Sequence, residues 1–211
     1  MGVSGDVWGL ISDVHGNLSA LQEALRVLEA AGVTRLAFLG DYLGRGDSDG
    51  CARCIRGAAD VAVLGNRDLD WKDRVGEETR AWVVQLPRQA QVGELLLAHG
   101  DSRLTPEFST AQIGRGFSRA WTALEARDAC LLAFGHSHHA RTWRKHSSAD
   151  PPEVLPNDRG VALELNDGWR YFVNVGTTGL PFPGKGGPSV ARLDLGAGQL
   201  EHVPLTWWAG G

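Results

Sequence analysis

Several things are scarce in this sequence, and each scarcity excludes a class of protein. No apolar run approaches the ~20 residues that a membrane-spanning helix requires. Cysteine is rare, three in 211 residues, and an odd count argues against a disulfide framework. Cys51 and Cys54 form a single C-x-x-C without a second pair, which is a weak zinc signal. The plainer reading is two small core residues on one helix face. Basic charge is not in excess: 21 Lys and Arg stand against 25 Asp and Glu, a net −4. The chain thus lacks an electrostatic footprint for nucleic acid or for an anionic membrane. An anionic substrate would need local positive charge, from metal ions or from particular arginines.

The opening MGVSGDVWGLISD has no basic region, long apolar region or small-residue cleavage site of a secretory signal. A myristoylation motif would need Ser or Thr where Asp6 stands. The expectation is a cytosolic protein with no membrane partner. Repeats and low-complexity tracts are also lacking. The length fits one domain spanning residues 1–211.

What the chain does have is apolar strands that end in polar residues. Val7–Ser12 reads as a short buried strand. The helix after it carries Leu18, Leu21, Leu25 and Leu28 at spacings of three and four and is ended by Gly32. Arg35–Gly40 and Asp60–Gly65 read as the next strands, with a short helix over SDGCARCIRG between them and Gly57 as its stop. Glu94–Gly100 and Ala129–His136 continue the pattern, with a helix in the later part of STAQIGRGFSRAWTALEARD. Strands alternating with helices predict a parallel sheet with helices on its faces. From Ala162 the text alternates and carries the turn signals Asn166-Asp167-Gly168 and Gly196-Ala197-Gly198. It predicts antiparallel strands completing a second sheet. Lys145–Gly160, rich in Pro, Ser and Asp, predicts a surface loop.

The strand-end residues, in order, are Asp13, His15, Asp41, Asn66, His99, His136 and His138. Functional sites in open α/β sheets gather beyond the carboxyl ends of the strands. One such residue usually just caps a loop. Seven of them, on five successive strands and all Asp, Asn or His, form a coherent metal-ligand set. Carboxylate with imidazole suits Mn, Fe, Ni, Co or Zn, whereas Mg or Ca prefers all oxygen. Seven ligands exceed one ion's needs, so two ions sharing a carboxylate is the natural count. Asp41 follows what should be a central strand. Two ions about 3.5–4 Å apart can clamp a phosphoryl group and activate a water.

The segments SDVHGN, GDYLGRG, GNRD, AHGD and GHSHHAR together resemble the calcineurin-like metallophosphoesterase superfamily. The match runs from Asp13 to His138 and extends to NVGTTGLP (Asn174–Pro181), with Val175 where Pro is usual. The resemblance implies an α/β (α+β) fold, a four-layer αββα sandwich of two mixed β-sheets with flanking helices. It implies that Asp13, His15 and His138 hold one metal and Asn66, His99 and His136 the other, with Asp41 bridging. A bridging hydroxide would attack phosphorus in line with the leaving oxygen. Many relatives have His after the motif Asn, as proton donor or charge stabiliser, oriented by the next acidic residue. Here Arg67 and Asp68 stand there. Arg is always protonated and gives up a proton poorly, but it can neutralise phosphate charge. This favours good leaving groups, a phosphate or an aryl oxide. Alternatively, Arg67 simply points to solvent or pairs with Asp68 or Asp70.

Arg45 matches the phosphate-contacting Arg of G-D-x-x-D-R-G in Ser/Thr protein phosphatases, with Gly44 in place of the Asp. His139 follows the last ligand pair. Trp71 and the Trp207–Trp208 pair could stack on a base or simply pack. The implied catalytic set is Asp41, Asn66, Arg67 and Asp68, and the substrate contacts are Arg45, Asn66, Arg67 and His139. DVHGNLSALQEAL is similar to small bacterial phosphodiesterases and diadenosine-tetraphosphatase-like proteins. The expected activity is phosphodiester or phosphoanhydride hydrolysis with two divalent transition metals, Mn foremost, on a small phosphoester or nucleotide. The alternatives are a Ser/Thr protein phosphatase, a phosphomonoesterase or, last, a metal-stabilised scaffold.

Overall fold

A computed structural model of the chain describes residues 5–110, 116–156, 160 and 162–208. Met1–Ser4, at the start of the segment read against signal and lipid motifs, lie outside the described residues. So do 157–159 of the expected surface loop and 111–115 of the stretch read as partly helical.

The first third repeats a strand–helix unit. Strand β1 (Val7–Ile11) leads to helix α1 (Leu18–Ala30), β2 (Arg35–Phe38) to α2 (Ser48–Ala58), and β3 (Val61–Ala62) to the short α3 (Asn66–Trp71). Asn17 caps α1 by accepting from the Ala20 amide, and Gly32 takes the left-handed conformation just beyond its end (φ 74°). The second helix does not stop at Gly57. It runs on to Ala58 and ends where Ala59 becomes extended, because a lone Gly weakens a helix by only about 1 kcal/mol.

Helix α4 (Glu77–Val83) then leads to the hairpin of β4 (Gln89–Val92) and β5 (Leu95–Ala98). Next come α5 (Ser118–Glu125), β6 (Leu131–Phe134), β7 (Arg141–Lys145) and β8 (Glu153–Val154). The last strands are β9 (Ala162–Glu164), β10 (Arg170–Asn174), β11 (Ser189–Asp194) and β12 (Gln199–Pro204).

These strands form two six-stranded mixed sheets, ordered β3-β2-β1-β11-β12-β9 and β4-β5-β6-β10-β7-β8. The prediction of antiparallel strands closing a second sheet needs dividing. The antiparallel β11, β12 and β9 complete the first sheet, where β11 pairs with β1. Strand β10 enters the second sheet, parallel to β6 and antiparallel to β7. Alternation marks a half-buried strand but not its partner. The Lys145–Gly160 stretch is not wholly loop either: β8 within it pairs with β7.

Leu10, Ala37 and Leu39 of the first sheet meet Leu95, Leu97, Leu131 and Val173 of the second in one apolar core. The outer face of the first sheet packs Ile11 and Phe38 against Leu21, Leu28, Cys51 and Ile55 of α1 and α2. The outer face of the second packs Phe134 and Phe172 against Trp121 and Leu124 of α5. That stacking is the four-layer αββα sandwich. Cys51 lies in the core, and burial pushes its thiol up to about 12, so it is inert at neutral pH.

Candidate metal centre

The parallel strands β1, β2 and β3 all end at the same edge of the first sheet, and β5 and β6 end at the matching edge of the second. Six of the seven strand-end residues lie on the loops that leave these edges, and Asn66 opens helix α3 just beyond β3. Among the described residues seven non-glycines have positive φ, and five are from this set: Asp13 (56°), His15 (51°), Asp41 (59°), His136 (68°) and His138 (57°). Each such backbone costs about 1–3 kcal/mol and persists only where surrounding contacts enforce it. Here those contacts are loop-to-loop hydrogen bonds. The Asp13 amide donates to Gly40 O, His15 to Asp41 O, and Gly135 to His99 O.

One cluster brings Asp13, His15 and His138 together, and a second brings Asp13, Asp41 and His99. In the first, His138 Nε2 lies 3.0 Å and His15 Nε2 3.5 Å from Asp13 Oδ1, and the two Nε2 atoms are 3.1 Å apart. In the second, His99 Nε2 lies 3.3 Å from Asp41 Oδ1. Asp41 Oδ2 turns the other way, to within 3.8 Å of His15 Nε2. Asp41 thus offers one oxygen to each cluster. Asn66 Oδ1 stands 3.0 Å from His99 Nε2 and 2.9 Å from His136 Nδ1. All seven residues therefore converge.

The neighbours orient this set. His99 Nδ1 donates to Leu39 O at 2.8 Å and His138 Nδ1 to Leu180 O at 2.6 Å. With those nitrogens committed, both rings turn Nε2 inward. Asp13 Oδ2 accepts from the Ser12 hydroxyl and the His136 amide. Asp13 Oδ1 is buried and faces only the Nε2 atoms of His138 and His15, with no amide or hydroxyl donor among the described residues. A buried carboxylate oxygen and the inward imidazole nitrogens of His15 and His138 face one another within 3.0–3.5 Å. Protons or cations between them make that arrangement favourable.

The charges agree. Burial alone would lower the His99 imidazole, but the Asp41 and Asp13 carboxylates and the Leu39 carbonyl hold it up at about 10. Burial also opposes charge on His138, and Asp13 raises it nonetheless. Burial would raise the Asp13 carboxyl, but His138 and His15 keep it well below the usual range. His136 is lowered, by burial and by its neighbour His99. A mixed set of carboxylate, amide and imidazole fits divalent transition metals, so the residues present fit a two-ion centre.

The sequence profile of the calcineurin-like phosphoesterase superfamily domain matches residues 7–198. The chain belongs to that superfamily. A crystal structure of a metallophosphoesterase from Sphaerobacter thermophilus shares the fold with a TM-score of 0.78 at 24% identity, covering 96% of this chain and 90% of that one. The hypothetical protein PH1004 from Pyrococcus horikoshii superposes with a TM-score of 0.64 at 12% identity, covering 97% of this chain and 90% of that one. An uncharacterized protein, MJ0912 of Methanocaldococcus jannaschii, is 33% identical over 82 residues. That match takes in 35% of this chain and spans 34% of the other protein's length. The chain is thus a member of a metal-dependent phosphoesterase superfamily, with a candidate dinuclear site typical of it.

In this phosphoesterase a cleft of about 640 Å³ opens beside His15, and Arg45, Arg67, Trp71, Leu180 and Phe182 help to line it. Arg45 and Arg67 are thus brought to the site. Arg67 plays two parts. Its amide donates to Asp41 Oδ1 at 2.7 Å, while its half-exposed guanidinium faces the cleft and lies 3.7 Å from Asp70. Asp68 is not aimed at Arg67 or at the cleft. Its buried carboxylate accepts from the amides of Asp41, Tyr42, Leu43 and Gly65 at 2.8–3.0 Å. Burial and the Asp41 charge nevertheless push it up to about 7. It is a positioning residue for the Asp41 loop. His139 is half-buried and does not line this cleft. Trp207 also lies elsewhere, where its indole donates to Thr178 O.

Three further residues escaped sequence reading. Phe182 stacks on the His138 ring at 4.7 Å, with no signal in the sequence. Asp101 lies 3.8 Å from His136 Nε2 and binds Arg103. Asp101 does stand inside the AHGD segment, which could have marked it. Asn174, in the NVGTTGLP segment, donates to Gly135 O and Ser137 Oγ and so holds the His136–His138 loop.

Proposed function

We propose that this chain hydrolyses phosphodiester or phosphoanhydride bonds, dinucleoside polyphosphates among them, with two divalent transition-metal ions as cofactors and Mn foremost. The carrying observation is the convergence of buried carboxylates and imidazoles on one point, led by Asp13 Oδ1 with His138 and His15 facing it. Asp13, His15 and His138 would hold one ion, Asn66, His99 and His136 the other, and Asp41 both. Bound there, such ions neutralise phosphoryl charge and lower the pKa of a water so that it can attack at neutral pH.

The chain's own groups do the rest. Arg45 and Arg67 line the cleft that opens at His15, and either can hold a phosphate oxygen through charged hydrogen bonds. Neither guanidinium releases a proton near neutral pH. The leaving oxygen must therefore depart as a stable anion, which favours aryl oxides and phosphates over alkoxides. A protein-phosphatase reading is weakened at Gly44. A Cβ there would run into the backbone of His15, so the Asp of that family's motif has no room.

The test is hydrolysis of bis(p-nitrophenyl) phosphate with added Mn, alongside metal content per chain. Asp41→Asn and His99→Ala should each abolish turnover, a loss of at least about a thousandfold, on the scale of removing preorganised charge stabilisation. Full activity in either variant contradicts the two-ion assignment. A wild-type protein that binds fewer than two ions and hydrolyses no aryl phosphate would move the reading to a scaffold.

A further inference from the structure

The Asn66 side chain raises a question that its role as a ligand leaves open. With Oδ1 turned toward His99 and His136, its amino group faces outward. That outward position is 3.2 Å from Arg103 Nη2 and 3.3 Å from the Arg67 amide nitrogen. The Arg67 amide is already satisfied by Asp41 Oδ1. Asn66 Nδ2 and Arg103 Nη2 are left as two donors at contact distance, and neither can accept from the other. Swapping the amide would relieve this by giving its oxygen to Arg103, with its amino group donating to both imidazoles. An amide so turned cannot ligate a metal. If Asn66 ligates through Oδ1, its amino group and Arg103 Nη2 stand side by side as donors open to an acceptor from solvent.

Arg103 is placed to hold that acceptor. Its backbone amide and its Nε both donate to Asp101 Oδ1, at 2.7 and 3.3 Å. Asp101 itself is buried against the candidate ligand His136. The fork is therefore anchored through Nε, with Nη2 at Asn66, and the side chain is 62% exposed and open to a ligand. A planar cation fixed on one edge binds oxyanions through its remaining N–H groups.

We infer that Arg103, together with the Asn66 amino group, binds a non-bridging phosphoryl oxygen of the substrate beside the Asn66–His99–His136 side of the centre. This rests on the proposed phosphoesterase reading. It adds a contact from a residue that is not among those lining the cleft of Arg45, Arg67 and His15.

The experiment compares wild type, Arg103→Ala and Arg103→Lys, each loaded with Mn. It measures metal content, inorganic phosphate binding by calorimetry, and the kinetics of bis(p-nitrophenyl) phosphate hydrolysis. Losing a charged hydrogen bond should weaken phosphate binding and raise KM by roughly tenfold to a hundredfold in Arg103→Ala. Arg103→Lys should recover only part of this, and both variants should keep the wild-type metal content. Wild-type phosphate affinity and KM in Arg103→Ala would overturn the assignment. Loss of a metal ion in Arg103→Ala would also overturn it, showing that Arg103 merely supports Asn66. If wild type itself neither binds metal nor turns over substrate, the parent reading fails, and the wild-type measurement shows that separately.

Discussion

Asp68 shows how much one buried side chain can decide. Its carboxylate accepts four backbone amides, three of them on consecutive residues, Asp41 to Leu43. Those amides stand in a loop where Asp41 has a left-handed backbone, so the carboxylate helps to hold that conformation. Without it the four donors lose their acceptor, and each buried unsatisfied donor costs about 1–3 kcal/mol. Asp68→Ala should therefore destabilise the fold by roughly 4 kcal/mol or more, read from urea denaturation. Asp68→Asn keeps one good acceptor oxygen and should cost clearly less. A loss below about 1 kcal/mol for Asp68→Ala would mean that water or neighbouring groups take over the amides. The motif position of Asp68 suggested a partner for the residue before it. Spacing could not show that backbone amides would claim it.

At the scale of elements, the strand–loop–helix unit builds the centre by close approach of two loops. The loop after β2 packs on the loop after β1, and Gly16 and Gly44 meet at the contact. A Cβ at Gly44 would strike the His15 carbonyl, and no rotamer change relieves a clash with backbone. Gly44→Ala should push His15 out of its cluster while the sheets and core remain. The expected result is fewer than two metal ions per chain with near-wild-type far-UV circular dichroism. Two ions retained at wild-type affinity would show that the loops yield without moving the ligand. The sequence marked Gly44 only as a departure from a motif.

Across the whole molecule, the candidate ligands come from both sheets: Asp13, His15, Asp41 and Asn66 from the first, His99, His136 and His138 from the second. Ions bound between them would tie the two layers together at one edge. Each ion present at a hundredfold its Kd adds about 2.7 kcal/mol, which for a chain of this size raises Tm by roughly 5–10 °C. Chelation should remove that gain and Mn should restore it. The pH dependence follows from His99, whose pKa in the metal-free fold is raised from 6.5 to about 10. A raised imidazole stabilises the fold fully below its unfolded value, and the effect fades as pH climbs toward the folded value. Asp68, raised from 3.8 to about 7, acts in the same direction at lower pH. The chelated protein should thus lose stability between pH 7 and 9.5. The rise in Tm on adding Mn should grow over the same range, because the ion displaces the His99 proton. Thermal melts with and without Mn at pH 7 and 9.5 check both. A metal-induced shift that shrinks with pH would contradict the His99 assignment.

The sequence alone determined which residues meet at the centre. Apolar strands ending in Asp, Asn or His can be read locally, and parallel strands bring their carboxyl ends to one edge. It also determined the layered α/β class, because helix and strand periodicities depend on near neighbours in the chain. Tertiary structure decided the rest. Strand β11 joined β1, and β10 joined β6, through pairings between residues far apart in sequence. Which oxygen of Asp41 faces which imidazole, where Asp68 spends its carboxylate, and how Phe182 and Arg103 reach the site all depend on loops packing across space. Contacts of that kind leave no periodicity in the chain, so only the folded arrangement fixes them.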